Sequence, residues 1–269
     1  MRLAAALASI AALTASGAGA IALSPVLDIE SAETSDSVKG EIRATVDHPF
    51  AVVSASLKQS AQWCEILILH LNVKLCRASG EERATLHVVI GNKFDQPIDD
   101  AYPLDFAYRV VDDTANVLQV TLRAGAGPMG TRDYLLALEA APASGGRTLI
   151  RMSYSYSFGM MARIAMQAYL GTIGRDKVGF TVIDKDAQGM PRYVGGMQGV
   201  TERNTMRYFL AIEAFLGALS APPQARLEKS LRDWFAGIER YPRQLHEMEQ
   251  DDYLAMKRGE YARQQPNPL

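Results

Sequence analysis

Between residues 85 and 200 apolar and polar side chains mostly alternate with a period of two, and on either side they recur at helical spacing. Glu41 to Val46 reads as a strand. Asp47 can cap a following helix, with Pro49 in its first turn, where a missing N–H costs nothing. Phe50, Val53, Leu57, Ala61 and Cys64 continue that helix to its end near Trp63 to Ile66. Leu67 to Leu75 reads as a short strand or an irregular connection. Strand signals then come in series: Leu86, Val88 and Ile90; Phe106, Tyr108 and Val110; Leu118, Val120 and Leu122; Tyr134, Leu136 and Leu138. The clearest is 149–158, where Ile150, Met152, Tyr154, Tyr156 and Phe158 share one face and Arg151, Ser153, Ser155 and Ser157 the other. One greasy and one polar face predict a sheet wet on one side. Short turns at Asp112-Asp113, Gly125 to Pro128 and Ser144 to Gly146 predict antiparallel neighbours.

Met160 to Leu170 breaks the alternation and suits a short helix, ended by Gly171 and Gly174. Val178, Phe180 and Val182 resume a strand, and Tyr193 to Val200 makes the last one, weakened by Gly195 and Gly196. The helix expected at 204–219 is unusually apolar. Met206, Tyr208, Phe209, Leu210, Ile212, Phe215, Leu216 and Leu219 cover over half its circumference, which requires burial on most sides. Pro222-Pro223 breaks the chain, and Leu227, Leu231, Trp234, Phe235 and Ile238 form a conventional amphipathic stripe. The charged tail at 246–263 is expected to be partly helical and to dock on the surface or fray. The expected division is a leader at 1–20, a flexible lead-in at 21–40, a sheet-and-helix domain at 41–219 and a helical extension at 220–269.

A long sheet with helices only at its ends must wrap its apolar face around the last helix or around a ligand beside it. This order, together with the segment Glu202-Arg203-Asn204-Thr205-Met206-Arg207-Tyr208-Phe209 entering the greasy helix, resembles the helix-grip fold of the START and polyketide-cyclase-like (SRPBCC) proteins. The resemblance covers about 41–219 and implies an α+β fold, a curved antiparallel sheet wrapped on a long C-terminal helix. It also implies a hydrophobic ligand between sheet and helix. The helix at 160–170 and those after 222 depart from the simple pattern.

Candidate cavity residues on this reading are Phe106, Tyr108, Tyr134, Tyr154, Tyr156, Phe158, Met161, Met206, Leu210 and Glu213. Aromatic and Met side chains fill irregular space, and plain core packing is the competing reading. By helical angle Glu213 falls inside the apolar stripe, where a carboxylate must pair, bind something or stay protonated. It is either a polar anchor or general acid, or the partner of a sheet arginine such as Arg151 or Arg109. Arg203 and Arg207 either hold a ligand carboxylate or phosphate or form a solvated face, the second being favoured. His70 and His87 read as structural histidines.

The net charge of −2 recommends neither nucleic acid nor anionic lipid as a partner. Arg2, the apolar run Leu3 to Thr14 and the small-x-small pattern Ala18-Gly19-Ala20 read as a secretory signal cleaved after Ala20, with an uncleaved anchor as the alternative. This points to an exported protein, in a bacterial periplasm. Cys64 and Cys76, the two cysteines of the chain, are then expected to be bridged, a link worth about 3 kcal/mol, or else are two buried thiols. No phosphate loop, nucleophile elbow or metal-ligand spacing is found, and no cofactor is implied. The expected function is binding of a hydrophobic small molecule or lipid. The alternatives are a cyclase or dehydratase using the same cavity, or an interaction module with a filled core. Oligomeric state is not legible.

Overall fold

A computed structural model describes residues 27–80, 84–172 and 176–265. Strands β1 (Leu27–Glu33) and β2 (Ser37–Val46) form a hairpin, followed by helices α1 (Phe50–Leu57) and α2 (Ser60–Leu67). Six strands follow: β3 (Val73–Ser79), β4 (Thr85–Ile90), β5 (Tyr102–Asp113), β6 (Leu118–Ala126), β7 (Thr131–Ala143) and β8 (Arg147–Phe158). Helix α3 (Met160–Gly171), the small hairpin β9 (Val182–Lys185) and β10 (Pro191–Tyr193), and helices α4 (Gly196–Ala218), α5 (Pro223–Glu239), α6 (Pro242–Leu245) and α7 (Gln250–Gln264) complete the chain.

The eight-stranded sheet has the order β1-β2-β8-β7-β6-β5-β4-β3 and every pairing is antiparallel. The first hairpin therefore joins the far edge of a six-strand meander, and α1–α2 must span the sheet to reach β3. Register puts apolar side chains opposite one another on the concave face. Ile42 lies opposite Met152, Met152 opposite Leu138, and Leu138 opposite Val120, all buried. The sheet-plus-crossing-helix order makes this an α+β helix-grip fold.

Helix α4 crosses β2 at Gly40. A Cβ there would collide with Thr205 Oγ1 and lie 3.3 Å from the Thr201 carbonyl oxygen. Thr201 and Thr205 are fully buried, and their hydroxyls donate one turn back, to Met197 and Thr201 carbonyls at 2.8 and 2.9 Å. The helix thus presents a small, satisfied face to the strand.

Four expectations change. The lead-in ends before Leu27. Residues 27–33 form an edge strand, whose single half-buried apolar side chain, Ile29, gives no apolar period. The helix drawn through 50–64 is two helices. The Leu57 carbonyl accepts from Trp63 Nε1 at 2.8 Å and from Tyr108 OH at 3.0 Å, so the helical ladder stops there. No strand runs from 193 to 200: α4 begins at Gly196, because its first two turns bury polar residues that carry no apolar signal. The structure also joins the expected C-terminal extension to the core. Trp234 stacks on Tyr253 at 4.9 Å, and the Tyr253 hydroxyl donates to the Leu69 carbonyl at 2.9 Å.

Two lysines and a glutamate seal that junction in full burial. Glu260 accepts from Lys74 at 3.0 Å and Lys257 at 2.6 Å. Lys74 also reaches the carbonyls of Leu71 and Phe94, and Lys257 those of His70 and Val73. Each ammonium thereby uses its three donors. The disulfide Cys64–Cys76 ties α2 to β3 beside this junction, and Gln264 Oε1 accepts the Cys76 N–H at 3.0 Å.

On the outer face Arg151 grips Glu41 through two bonds of 2.6 and 3.1 Å, with Lys39 and Arg43 alongside.

Gly40→Ala is expected to destabilise the fold by about 1–3 kcal/mol in urea denaturation, through overpacking of the α4–β2 crossing. Arg151 first, opposed by burial and aided by Lys39, holds the Glu41 carboxyl at about 2, below its ordinary 4.5. A depressed acid stabilises above its unfolded pKa and loses that contribution as pH falls. The stability gap between the native protein and Glu41→Gln, followed by urea midpoints against pH, should therefore close from about 4.5 down to about 2.

Candidate functional site

Strand β8 turns Ile150, Met152, Tyr154, Tyr156 and Phe158 inward. Toward its start the concave face is closed, with Ile150 and Met152 at 0% exposure. Toward its end the face is aromatic. Tyr154 lies 5.7 Å from Tyr156 ring to ring, Tyr156 6.2 Å from Phe158, and Tyr134 5.4 Å from Tyr156 in a stack. Phe106 meets Tyr134 edge-on at 6.4 Å. From α4 the Tyr208 ring sits 5.4 Å from Tyr154 and stacks on His70 at 4.6 Å. One continuous aromatic chain thus runs from His70 to Phe158 and Phe106.

Tyr134 belongs to it by alternation, in phase with Leu136 and Leu138 and opposite Ala124 in the unbroken register with β6. Between Arg132 and Leu135 the register of β7 slips by one residue against β8, with Asp133 at φ 55°, which changes the phase of the residues before it.

Tyr154 and Tyr208 differ from three buried tyrosines of the core. Tyr108, Tyr134 and Tyr253 donate to Leu57 O, Thr131 Oγ1 and Leu69 O. The hydroxyls of Tyr154 and Tyr208 have no hydrogen-bond partner among the described residues. Both side chains are partly buried and pack against the core. Burial pushes both phenols far up, the neighbouring phenols adding to it, and they remain neutral O–H groups at any physiological pH. The arrangement offers a flat apolar wall with two unused hydroxyls, suited to an apolar molecule carrying an oxygen.

His70 is fully enclosed. Burial, then the charges of Arg207, Lys257, Lys93 and Lys74, hold its imidazole well below the usual range, so it is neutral. Its Nδ1 accepts from the Asn72 N–H at 3.2 Å, which places the proton on Nε2, and Nε2 has no partner. His87 lies on the outer face between Asp105 and Ser79.

The structure gathers Phe106, Tyr134, Tyr154, Tyr156 and Phe158 into one wall and sets the other candidates apart. Tyr108 is taken up under the helix break at Leu57. Met206 and Leu210 look toward the β1–β2 hairpin, in a small groove with Leu27, Ala44 and Tyr241. The Met161 side chain lies outside the described residues. Glu213 lines the same groove as Met206 and Leu210, apart from the aromatic wall. It is a half-exposed partner of Arg240, at 2.6 Å, on the α4–α5 seam, and not of Arg151 or Arg109.

Arg203 and Arg207 correct the expectation of a solvated face, since each is only 2% exposed. Arg203 donates to the Val178 carbonyl at 3.2 Å; Arg207 donates to the Leu245 carbonyl at 3.2 Å and to Glu247 at 2.7 Å. Lys93 also meets Glu247 at 2.6 Å. Burial raises the Glu247 carboxyl, but Arg207 and Lys93 more than offset this and hold it below its ordinary value. Glu202, buried beside them, accepts from Ser31, Thr181 and two backbone N–H groups at 2.6–2.9 Å. Tyr208 and His70 were the site residues that periodicity did not single out. The sign available was an aromatic with a polar tip inside an otherwise greasy helix.

No protein-family model matches the sequence, and no curated protein matches it. The solved structures it is similar to include norcoclaurine synthase from Thalictrum flavum, 14% identical over 62% of this chain and 92% of that one, with a TM-score of 0.35. They also include the Zhui aromatase/cyclase from Streptomyces sp. R1128, 11% identical over 49% and 70%, TM-score 0.34. A third is CalU16 from Micromonospora echinospora, 10% identical over 80% and 96%, TM-score 0.35.

The unequal bonding of the tyrosines sets up a stability test on ligand-free protein. Tyr134→Phe should cost about 0.5–1.5 kcal/mol, the worth of its bond to Thr131. Tyr154→Phe and Tyr208→Phe, which break no internal bond, should be neutral or stabilising in urea denaturation. A loss of similar size in all three would mean that the two hydroxyls are satisfied within the fold.

Proposed function

We propose that this protein binds a hydrophobic small molecule or lipid in an interior space beside Tyr154 and Tyr208, and that it is an exported, periplasmic carrier of that molecule. The observation that carries the binding reading is a pair of neighbouring, partly buried tyrosines whose hydroxyls bond to none of the described residues, set in a continuous aromatic wall. A core that needed only packing would be served equally well by Phe, which has no hydroxyl to leave unbonded. The ligand is an elongated or flat apolar body with an oxygen that can exchange a hydrogen bond with the two phenols. The apolar body supplies most of the affinity, and the phenols fix its orientation. Export is supported by the leader pattern at residues 1–20 and by the Cys64–Cys76 bridge, which persists in an oxidising compartment.

Native mass spectrometry of protein recovered from the bacterial periplasm checks both halves of this reading. The expected result is a chain beginning at Ile21 with a bound species that organic extraction releases. Tyr154→Phe and Tyr208→Phe should each weaken rebinding of the extracted species by about 2- to 12-fold, one hydrogen bond's worth. A bare chain that takes up neither the periplasmic lipid extract nor an environment-sensitive hydrophobic dye would overturn the binding reading. An uncleaved, cytoplasmic chain would overturn the export reading.

A further inference from the structure

Helix α3 shows apolar side chains to solvent where an amphipathic helix shows polar ones. Met160 is 78% exposed and Ile164 55%, and Ala168, one turn further on, is exposed as well. These positions, four residues apart, form one stripe. The opposite side of the helix is also apolar: Ala162 is buried and Met166 packs on the core. Within Met160–Gly171 the polar groups are Arg163, Gln167 and the hydroxyl of Tyr169. A helix apolar on both sides belongs in a core or a bilayer.

The stripe has a neighbour. The turn at 128–130, between β6 and β7, contacts α3 and holds Met129 57% exposed with its backbone at φ 57°. A bulky residue in the left-handed region is uncommon and costs energy, and here that backbone displays a thioether to solvent.

Charge narrows the occupant. Beside the start of α3, Asp36 accepts the Phe158 N–H at its carbonyl at 2.8 Å, with its carboxylate held by Thr34. In α3 itself the one charged group is the exposed Arg163. At the edge of the patch, Arg132 and Asp133 pair with each other at 3.4 Å. The patch therefore sets no net negative charge against an anionic headgroup layer, and Arg163 is placed to meet one. Its position names a purpose. Gly159 joins α3 directly to Phe158, the end of the aromatic wall, and α3 contacts both β8 and α4, the two elements that carry Tyr154 and Tyr208.

We infer that the outer stripe of α3, Met160, Ile164 and Ala168, together with Met129, docks the protein on the surface of a lipid bilayer containing anionic phospholipid, with the doorway of the aromatic space held against the membrane. This rests on the carrier reading for its purpose but is measured separately from it. Docking at the doorway lets an apolar ligand pass between bilayer and protein without crossing water, where each buried CH2 group is expensive to expose.

The test is flotation of the full mature chain with vesicles of phosphatidylethanolamine and phosphatidylglycerol, in parallel with phosphatidylcholine vesicles. The wild-type chain should float with the first and more weakly with the second. Met160→Ser, Ile164→Ser and Met129→Ser should each lower partitioning on the order of ten-fold. Phe94→Ser, which removes an apolar side chain 58% exposed on another part of the surface, should leave it unchanged. Native mass spectrometry on the same samples separates the two readings. A chain that retains ligand but never floats overturns the docking inference and leaves the carrier reading intact. A chain that floats through α3 but never holds ligand does the reverse. Concentration-dependent dimers in analytical ultracentrifugation, abolished by the same serines and unaccompanied by flotation, would mean that a second copy covers the stripe, and would also overturn the inference.

Discussion

The contact that sets the rest of the geometry is the crossing of α4 over β2 at Gly40. With no side chain there, the helix comes down until the Thr201 backbone lies within van der Waals distance of the strand. Gly40 faces Tyr154 in register on the next strand. The point of closest approach is thus one strand away from the first residue of the aromatic wall. A helix is straight and a twisted sheet is not, so a helix seated at one strand stands off the others. In a solid core that gap would be filled by aliphatic side chains from both layers. Here α4 contributes Tyr208 and the sheet contributes Tyr154, Tyr156 and Tyr134, which fill the gap with rings.

A second constraint comes from charge sealed inside the protein. Lys74, Lys257, Glu260 and Glu202 are wholly buried, and Arg203 and Arg207 nearly so. Pairs of this kind contribute little net stability compared with apolar packing, but each is costly to break from one side. Their effect is on specificity of assembly. Glu260 is satisfied only when α7 lies against β3, Glu247 only when the segment after α6 meets α4, and Glu202 only when β1 and residues 180–181 converge on α4. Each carboxylate therefore verifies one docking event between chain segments far apart in sequence. The C-terminal helices are part of the core for this reason as much as for their apolar stripe. Burial outweighs the pull of Glu260 and brings the Lys257 ammonium down to about 8, which shows how little solvent reaches that junction.

The sheet was legible because alternation is a local property: every strand from β4 to β8 announces itself in its own residues, and β8 does so over its full length. The aromatic wall was legible for the same reason, Tyr134 included, since it alternates in phase with Leu136 and Leu138. Features that depend on distant partners were not. The break after Leu57 exists because Trp63 and Tyr108 compete for one carbonyl, and the second of these arrives from β5. Arg203 and Arg207 carry the composition of a solvated face, and what buries them comes from residues 178 and 245–247. Glu213 failed in the opposite sense. Its helical angle placed it among apolar neighbours, but Met206 and Leu210 turn toward the hairpin and leave Glu213 at the rim with Arg240.

The binding reading rests most on two neighbouring, partly buried phenols whose hydroxyls bond to none of the described residues. The same chain finds acceptors for Tyr108, Tyr134 and Tyr253, so their absence at Tyr154 and Tyr208 does not reflect a general inability to place a backbone carbonyl near a phenol. Both hydroxyls stay protonated at physiological pH, because burial disfavours the phenolate. They can therefore recognise an oxygen by donating to it, but they cannot act as a base at neutral pH or respond to acidification. On the proposed binding reading, such a site selects a guest by shape and by the position of one polar atom.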